Sequence, residues 1–363
     1  MRFAVAISAV VLTGAVALAQ PQPRQYDVVI INARLVDGTG APARMASVGI
    51  RAGRIVRIGE VSPGQSSEVI DARSAVVAPG LVVASDDAVH GPGVTTVVAG
   101  TRGLSVLDVA QELQRIDESG ATTNYATMIG HATVRLSVMG RIDRGPTVSE
   151  LKRMKALVFR GIADGALGLS TDLTDSPGRY AEEPEIVELA RVAGNEDGLY
   201  ASYAPGDAVA GVEAVRKAIK IGSVTGMAVR IARTAANGVA DALIDAARVG
   251  GADVTVTEER GPGFALADLS SERRERDGVS LEEAVRRLTS QVARQFGLQG
   301  RGEIRVGAAA DLIVFDPARA GQAAGLSHVL VNGVVTMREG APGLERAGQV
   351  LRRQDVRDQQ AWH

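Results

Sequence analysis

The chain has 363 residues, enough for one large domain and a smaller one. Hydrophobic residues make up 45% and charged residues 23%, which excludes wholesale disorder, and a formal net charge of −2 gives no reason to expect nucleic acid as a partner. Only 3% of residues are aromatic, too few for base- or sugar-stacking platforms, and the absence of cysteine excludes disulfides, thiol nucleophiles and thiolate metal sites.

Arg2 precedes an uncharged, largely apolar run from Phe3 to Leu18 that closes on Ala17-Leu18-Ala19. A basic start, an apolar middle and a small-x-small exit predict a secretory signal over residues 1–19, cut before Gln20. The expectation is an exported protein, periplasmic or secreted, with no integral membrane span once the signal is removed. Beyond it the pattern has period two. Val28 to Ile31, Val48 to Ile50, Ile55 to Ile58 and Val69-Ile70 predict short strands. The C-terminal end repeats this texture in Asp311 to Phe315 and His328 to Val331, and Asn332-Gly333 is a hairpin signal. The two ends, residues 20–80 and 300–353, are therefore expected to form one discontinuous β domain around a middle of 81–299.

That middle alternates. Strand-like runs stand at Gly93 to Val98, Tyr125 to Ile129, Leu167 to Ser170, Leu199 to Ser202, Met227 to Ile231 and Asp253 to Val256. Helical patterns separate most of them. Thr147 with Glu150 forms a capping box, Pro184 suits a first helical turn, and Gly222 is a stop for the stripe Val212, Val215 and Ile219. Ser280 caps a long helix whose buried side is Leu281, Val285, Leu288, Val292 and Phe296. Strand–helix alternation implies a parallel sheet, either a (β/α) barrel or an open doubly wound sheet. Only Asp86 to Pro92 separates Leu81–Ser85 from the next strand, short for a parallel crossover. Either a first helix is missing there or Leu81–Ser85 belongs to the β domain.

The stretches YDVVIINARLVDGTG, GIRAGRIVRIG and VIDARSAVVAPG between Tyr26 and Gly80 resemble the entry of the amidohydrolase superfamily, and GEIRVGAAADLIVFDP and VLVNGVVTMREG resemble its exit. GVTTVVAG at 93–100, GHATVRLSVMG at 130–140, GALGLST at 165–171 and GLYASY at 198–203 are similar to the N-acyl-D-amino-acid deacylase, or D-aminoacylase, branch. The resemblance implies an α/β fold: a TIM-like (β/α) barrel, reduced here because the chain is short, plus a small β-sandwich. It also implies zinc at the C-terminal mouth of the barrel, activating a water for amide hydrolysis, with a strand-eight Asp accepting the proton.

The family's ligand positions fall on other residues in this chain. The strand-one His-x-His falls on Ser85 and Asp87, the strand-two Cys on Arg102, the strand-five His on Tyr203 and the strand-six His on Arg233. A position usually Tyr falls on Asp175. Arginine cannot ligate a metal and stays charged, so Arg102 and Arg233 are both expected where a divalent cation would sit, and no zinc is expected. Phe264 to Asp268 is a candidate for a residual strand eight, with Asp268 as the remnant of the proton acceptor; a surface loop is the competing reading.

The candidate catalytic groups are thus Asp268, His131 and Asp87, and the candidate pocket is Arg102, His131, Arg135, Tyr203 and Arg233. For His131 the competing role is a hydrogen-bonded structural residue below the mouth. Asp86 and Asp87 are adjacent and point apart in extended chain, so they make a poor hard-cation site. His90, His328 and His363 pair with nothing at ligand spacing, and no G-x-S-x-G elbow occurs. Three readings follow: an inactive relative that binds a small acyl-amino acid or a peptide or serves as a partner for an intact enzyme, a residual or metal-independent amide hydrolase, or a degraded gene product. A sheet left unclosed exposes apolar edges, from which self-association is expected.

Overall fold

A computed structural model describes residues 24–85, 91–206, 208–233, 238–258, 264–320, 322 and 325–353. The chain opens with β1 (Tyr26–Leu35), β2 (Arg44–Arg51), β3 (Arg54–Gly59), β4 (Ser66–Asp71) and β5 (Val76–Pro79). Then come β6 (Leu81–Ala84), β7 (Val94–Ala99), α1 (Val109–Ser119), β8 (Asn124–Thr127), β9 (Ile129–Gly130), α2 (His131–Met139) and α3 (Val148–Ala163). Strands and helices alternate through β10 (Gly168–Asp172), α4 (Glu183–Asn195), β11 (Leu199–Ala204), α5 (Ala208–Thr225), β12 (Val229–Arg233), α6 (Gly238–Val249) and β13 (Val254–Glu258). Four helices follow, α7 (Phe264–Ala267), α8 (Ser271–Asp277), α9 (Leu281–Leu288) and α10 (Ser290–Gln295). The chain returns to strands in β14 (Leu312–Phe315), β15 (Leu326–Val331), β16 (Val334–Arg338) and β17 (Ala341–Pro342).

Strands from both chain ends share one nine-stranded sheet in the order β17-β16-β15-β14-β5-β1-β2-β3, with β4 also on β1. The seam between the ends is the antiparallel pair β14–β5, from Leu312 opposite Pro79 to Phe315 opposite Val76. β14 reads LIVF without alternation because both of its faces are buried. Leu312 and Val314 join Ile30, Ile50 and Leu330 in one core, while Ile313 and Phe315 join Leu81, Val97 and Val285 in another. A buried polar cluster fastens this sheet to the rest. Asp311 receives Asn124 Nδ2 at 3.0 Å and the Asn332 N–H at 2.7 Å, pairs with Arg301, and Asn332 Nδ2 donates to Asn124 Oδ1 at 2.7 Å.

The remaining strands are parallel and lie in chain order, β6-β7-β8 in one sheet and β9 to β13 in the next. Only Met128 separates β8 from β9, so the two sheets are one arc. The split has a cause. The Tyr125 N–H donates to Gln349 O at 2.9 Å and the Leu351 N–H to Tyr125 O at 2.7 Å, so the C-terminal tail occupies the lower edge of β8. β10 meets this strand position only above it, where the Leu167 N–H donates to Thr127 O at 2.8 Å. Leu81–Ala84 pairs in parallel with β7 and therefore belongs to this arc, despite the short connection to Val94. Residues 86–90 of that connection lie outside the described residues.

Three local expectations need correction. α5 runs through Gly222 to Thr225; a Cβ at Gly222 would come within 2.2 Å of Val229 Cγ2, so this glycine serves close helix–strand packing, not termination. The long helix after Ser280 breaks at Thr289, whose hydroxyl donates back to Val285 O at 2.7 Å. The break sends the two halves to different cores: Leu281 and Val285 pack toward the nine-stranded sheet, Val292 and Phe296 toward Val82, Val98 and Ala126 at the arc's floor. Phe264–Ala267 is helical, so it is no residual strand. Among the described residues nothing pairs as a strand with the outer side of β13.

Candidate functional site

The C-terminal ends of the parallel strands are where such a fold places chemistry. After β7 the chain turns through Gly100 and Gly103, both at positive φ, and crosses above β9. Ser170 on β10 pins this turn: its hydroxyl donates to Gly100 O and accepts the Gly103 N–H at 3.2 Å. Gly103 O in turn accepts the Ala132 N–H at 2.8 Å, covering a free donor at the start of α2. A Cβ at Gly103 would stand 2.6 Å from Asp172 N, so only glycine lets the turn lie so close to the end of β10.

This crossing carries Arg102 over the ring of Tyr203, with the guanidinium carbon 4.0 Å from the ring centroid. Tyr203 is buried, on the same face of β11 as Ala201, and Arg102 is exposed above it. A planar guanidinium on an aromatic face is attracted by the ring quadrupole, ~0.5–1 kcal/mol at an exposed site. Arg102 and Tyr203, which the resemblance assigned to two ligand positions, therefore meet as a cation–π pair.

Arg233 does not join them. Along β12, Val229 and Ile231 face the helix layer, and the period of two turns Arg233 the same way. There it pairs with Asp241 on α6, with 12% of its side chain exposed. The expectation that two arginines stand together at the strand ends is thus corrected: Arg233 faces the helix layer, away from Arg102.

His131 and Arg135 stand apart as well. They lie on the first turns of α2 and close on Glu185 of α4: His131 Nε2 is 2.8 Å from Glu185 Oε1, and Arg135 pairs with Oε2. All three side chains are buried. Arg135 also donates to Ile142 O at 3.0 Å and Arg144 O at 2.6 Å, holding the loop that leads to α3. Burial raises the Glu185 carboxyl toward the neutral form, but the hydrogen bonds and charges of His131 and Arg135 outweigh it and leave its pKa below the ordinary value. This geometry matches the structural role for His131. Glu185 was missed in the sequence because it looks like an ordinary acidic residue in a first helical turn. Its signal was its place four residues before Leu189, on the stripe that faces the core.

Asp268 pairs with Arg273 at 2.8 Å. The neighbouring Leu266 stands 3.6 Å from where a Cβ on Gly93 would lie, beside Leu81, at the N-terminal ends of β6 and β7. Asp268 thus sits toward the floor, and the proton-acceptor reading loses its geometry. Ser85 ends β6 with its N–H on Val98 O at 3.0 Å. Asp86, Asp87, His90 and His363 lie outside the described residues. His328 is half-buried on β15, where burial lowers its pKa. Asp175 is exposed and accepts the Ser176 N–H at 2.7 Å. Among the described residues no three His, Asp or Glu side chains stand close enough together to hold a metal ion. Among the described strand-end residues, Arg102 and Tyr203 do not fit zinc: a catalytic site needs about three nitrogen, sulfur or carboxylate ligands, and these two side chains stack on each other.

Comparison with known proteins agrees with this fold. The pattern of the amidohydrolase family matches residues 246–337. The N-acyl-D-glutamate deacylase of Alcaligenes xylosoxydans xylosoxydans is 26% identical over 474 residues, covering 91% of this chain and 97% of the relative. The D-aminoacylase of the same organism is 25% identical over 484 residues, covering 93% and 99%. Since 91% of 363 residues is about 330, roughly 140 of the 474 aligned positions have no counterpart here. The N-acyl-D-glutamate deacylase of Bordetella bronchiseptica, solved with zinc and a phosphonate inhibitor, superposes with a TM-score of 0.79 at 26% identity, covering 90% of this chain and 99% of that one. The fold and these relatives make the chain a member of the amidohydrolase superfamily. Within it, the chain falls in the D-aminoacylase branch.

Proposed function

We propose that the chain is an exported, inactive member of its branch, a pseudoenzyme that binds a small acyl-amino acid or peptide at the strand ends and does not hydrolyse it. In this reading the arc is a reduced TIM-like barrel, the nine-stranded sheet its β-sandwich companion, and residues 1–19 a signal peptide leading to the periplasm or outside. The observation that carries the proposal is the Arg102–Tyr203 pair, which fills two family ligand positions with side chains that do not hold zinc together. Arg102 offers a carboxylate or amide oxygen a fork of N–H donors already held flat on a ring.

The test is calorimetric titration with N-acetyl-D-glutamate in the presence of a chelator, followed by recovery of the ligand. Binding with the amide intact, weakened about tenfold or more by Arg102→Ala, is the expected result. Recovery of free acetate and D-glutamate from the wild-type sample, or unchanged binding in the variant, would count against it.

A further inference from the structure

We infer that α10 covers the β13 edge, with which no further strand pairs among the described residues, and that Gln291, Gln295 and Arg248 guard this edge against pairing with the same edge of a second copy of this chain. The edge strand of a parallel sheet turns the backbone groups of alternate residues outward, as a template for another strand. In β13 the Val229 N–H donates to Asp253 O, so Asp253, Thr255 and Thr257 bond inward, and Val254, Val256 and Glu258 face outward. The outward carbonyls of Val254 and Val256 are occupied by side chains. Val254 O accepts Arg248 Nε at 2.9 Å, and Val256 O accepts Gln295 Nε2 at 3.0 Å and Gln291 Nε2 at 3.4 Å.

Gln295 is placed for this task by its other contacts. It is 4% exposed, its amide oxygen meets Thr257 Oγ1, and its backbone carbonyl accepts Arg230 Nε at 2.8 Å. One residue thus ties α10 to both β12 and β13, while Val292 and Phe296 of the same segment fill the floor. Side chains end a sheet without offering a new edge, whereas a strand continues it. The self-association expected from an unclosed sheet is therefore blocked at this edge.

The test is light scattering of the purified protein over a concentration series, with hydrogen exchange read across residues 254–258. Wild type should show no self-association that adds protection there. Gln291→Leu/Gln295→Leu should self-associate about tenfold or more tightly, with new protection at 254–258. Arg248→Met/Gln291→Leu, which changes only side chains that are not fully buried, should do so more weakly and covers the case in which the first variant fails to fold. Folded variants that stay monomeric, or a wild-type dimer protected at 254–258, would overturn the inference.

Discussion

Below the mouth, on the face of the parallel strands turned away from the outer helices, Val292 and Phe296 meet Val82, Val98 and Ala126 in a buried apolar floor, and the C-terminal segment bridges to Tyr125. At the C-terminal ends of the same strands, Arg102 lies exposed on Tyr203 and Arg233 turns away to Asp241. The floor depends on volume and pairing, so its residues answer to the whole fold. The mouth is made of strand ends and turns, whose side chains can change while the strands beneath them remain. A family frame can therefore persist while the side chains at its mouth change.

The sharpest way to break this comparison is to cut one residue from each region. Phe296→Ala should lower stability by about 3–5 kcal/mol, and Arg102→Ala by no more than about 1 kcal/mol, both read by urea unfolding. Equal losses would remove the distinction between floor and mouth. Next in size is Glu185→Gln, which leaves Arg135 buried beside a neutral partner and should cost about 3 kcal/mol at neutral pH. The acid limb supplies the sign. Because the folded Glu185 carboxyl titrates below its ordinary value, its contribution is present above that value and is lost as pH falls through the folded pKa. The variant should therefore lose less stability than wild type on acidification, and a steeper loss would show that Glu185 is not held in its charged form.

Smaller effects test the attachment of the β sheet. Asn332→Ala removes donors to Asn124 and Ala347 O and should cost about 1–3 kcal/mol, seen as earlier unfolding in the same urea series. Ser280→Ala removes the acceptor of the Glu283 N–H at the start of α9 and should cost about 1 kcal/mol. A larger loss there than from Asn332→Ala would mean that α9, and not the polar cluster, holds the two parts together.

Much of this architecture was legible in the residues. Periodicity marked the strands, Thr147 and Glu150 form the capping box their spacing announced, and Asn332-Gly333 turns β15 into β16. The helix break at Thr289 was not legible, because Leu281 to Phe296 keeps one apolar period across it. Only the tertiary demand for two cores separates the halves. At the mouth, aligned positions identified Arg102 and Tyr203, but not that Arg102 would stack on the ring, which depends on Ser170 holding the turn from another strand. Arg233 was misplaced because a ligand position gives no side-chain direction, whereas strand alternation does. His131 and Arg135 were found without Glu185, their partner 54 and 50 residues away in sequence.

The central claim is that this frame carries no zinc-dependent chemistry, and metal analysis coupled to a deacylation assay tests it most directly. The purified protein would be incubated with zinc, freed of excess and analysed for bound metal, then supplied with N-acetyl-D-glutamate and N-acetyl-D-aspartate with and without chelator. Zinc well below one ion per chain and no chelator-sensitive release of acetate are the predicted results. Stoichiometric zinc together with chelator-sensitive deacylation would contradict the account.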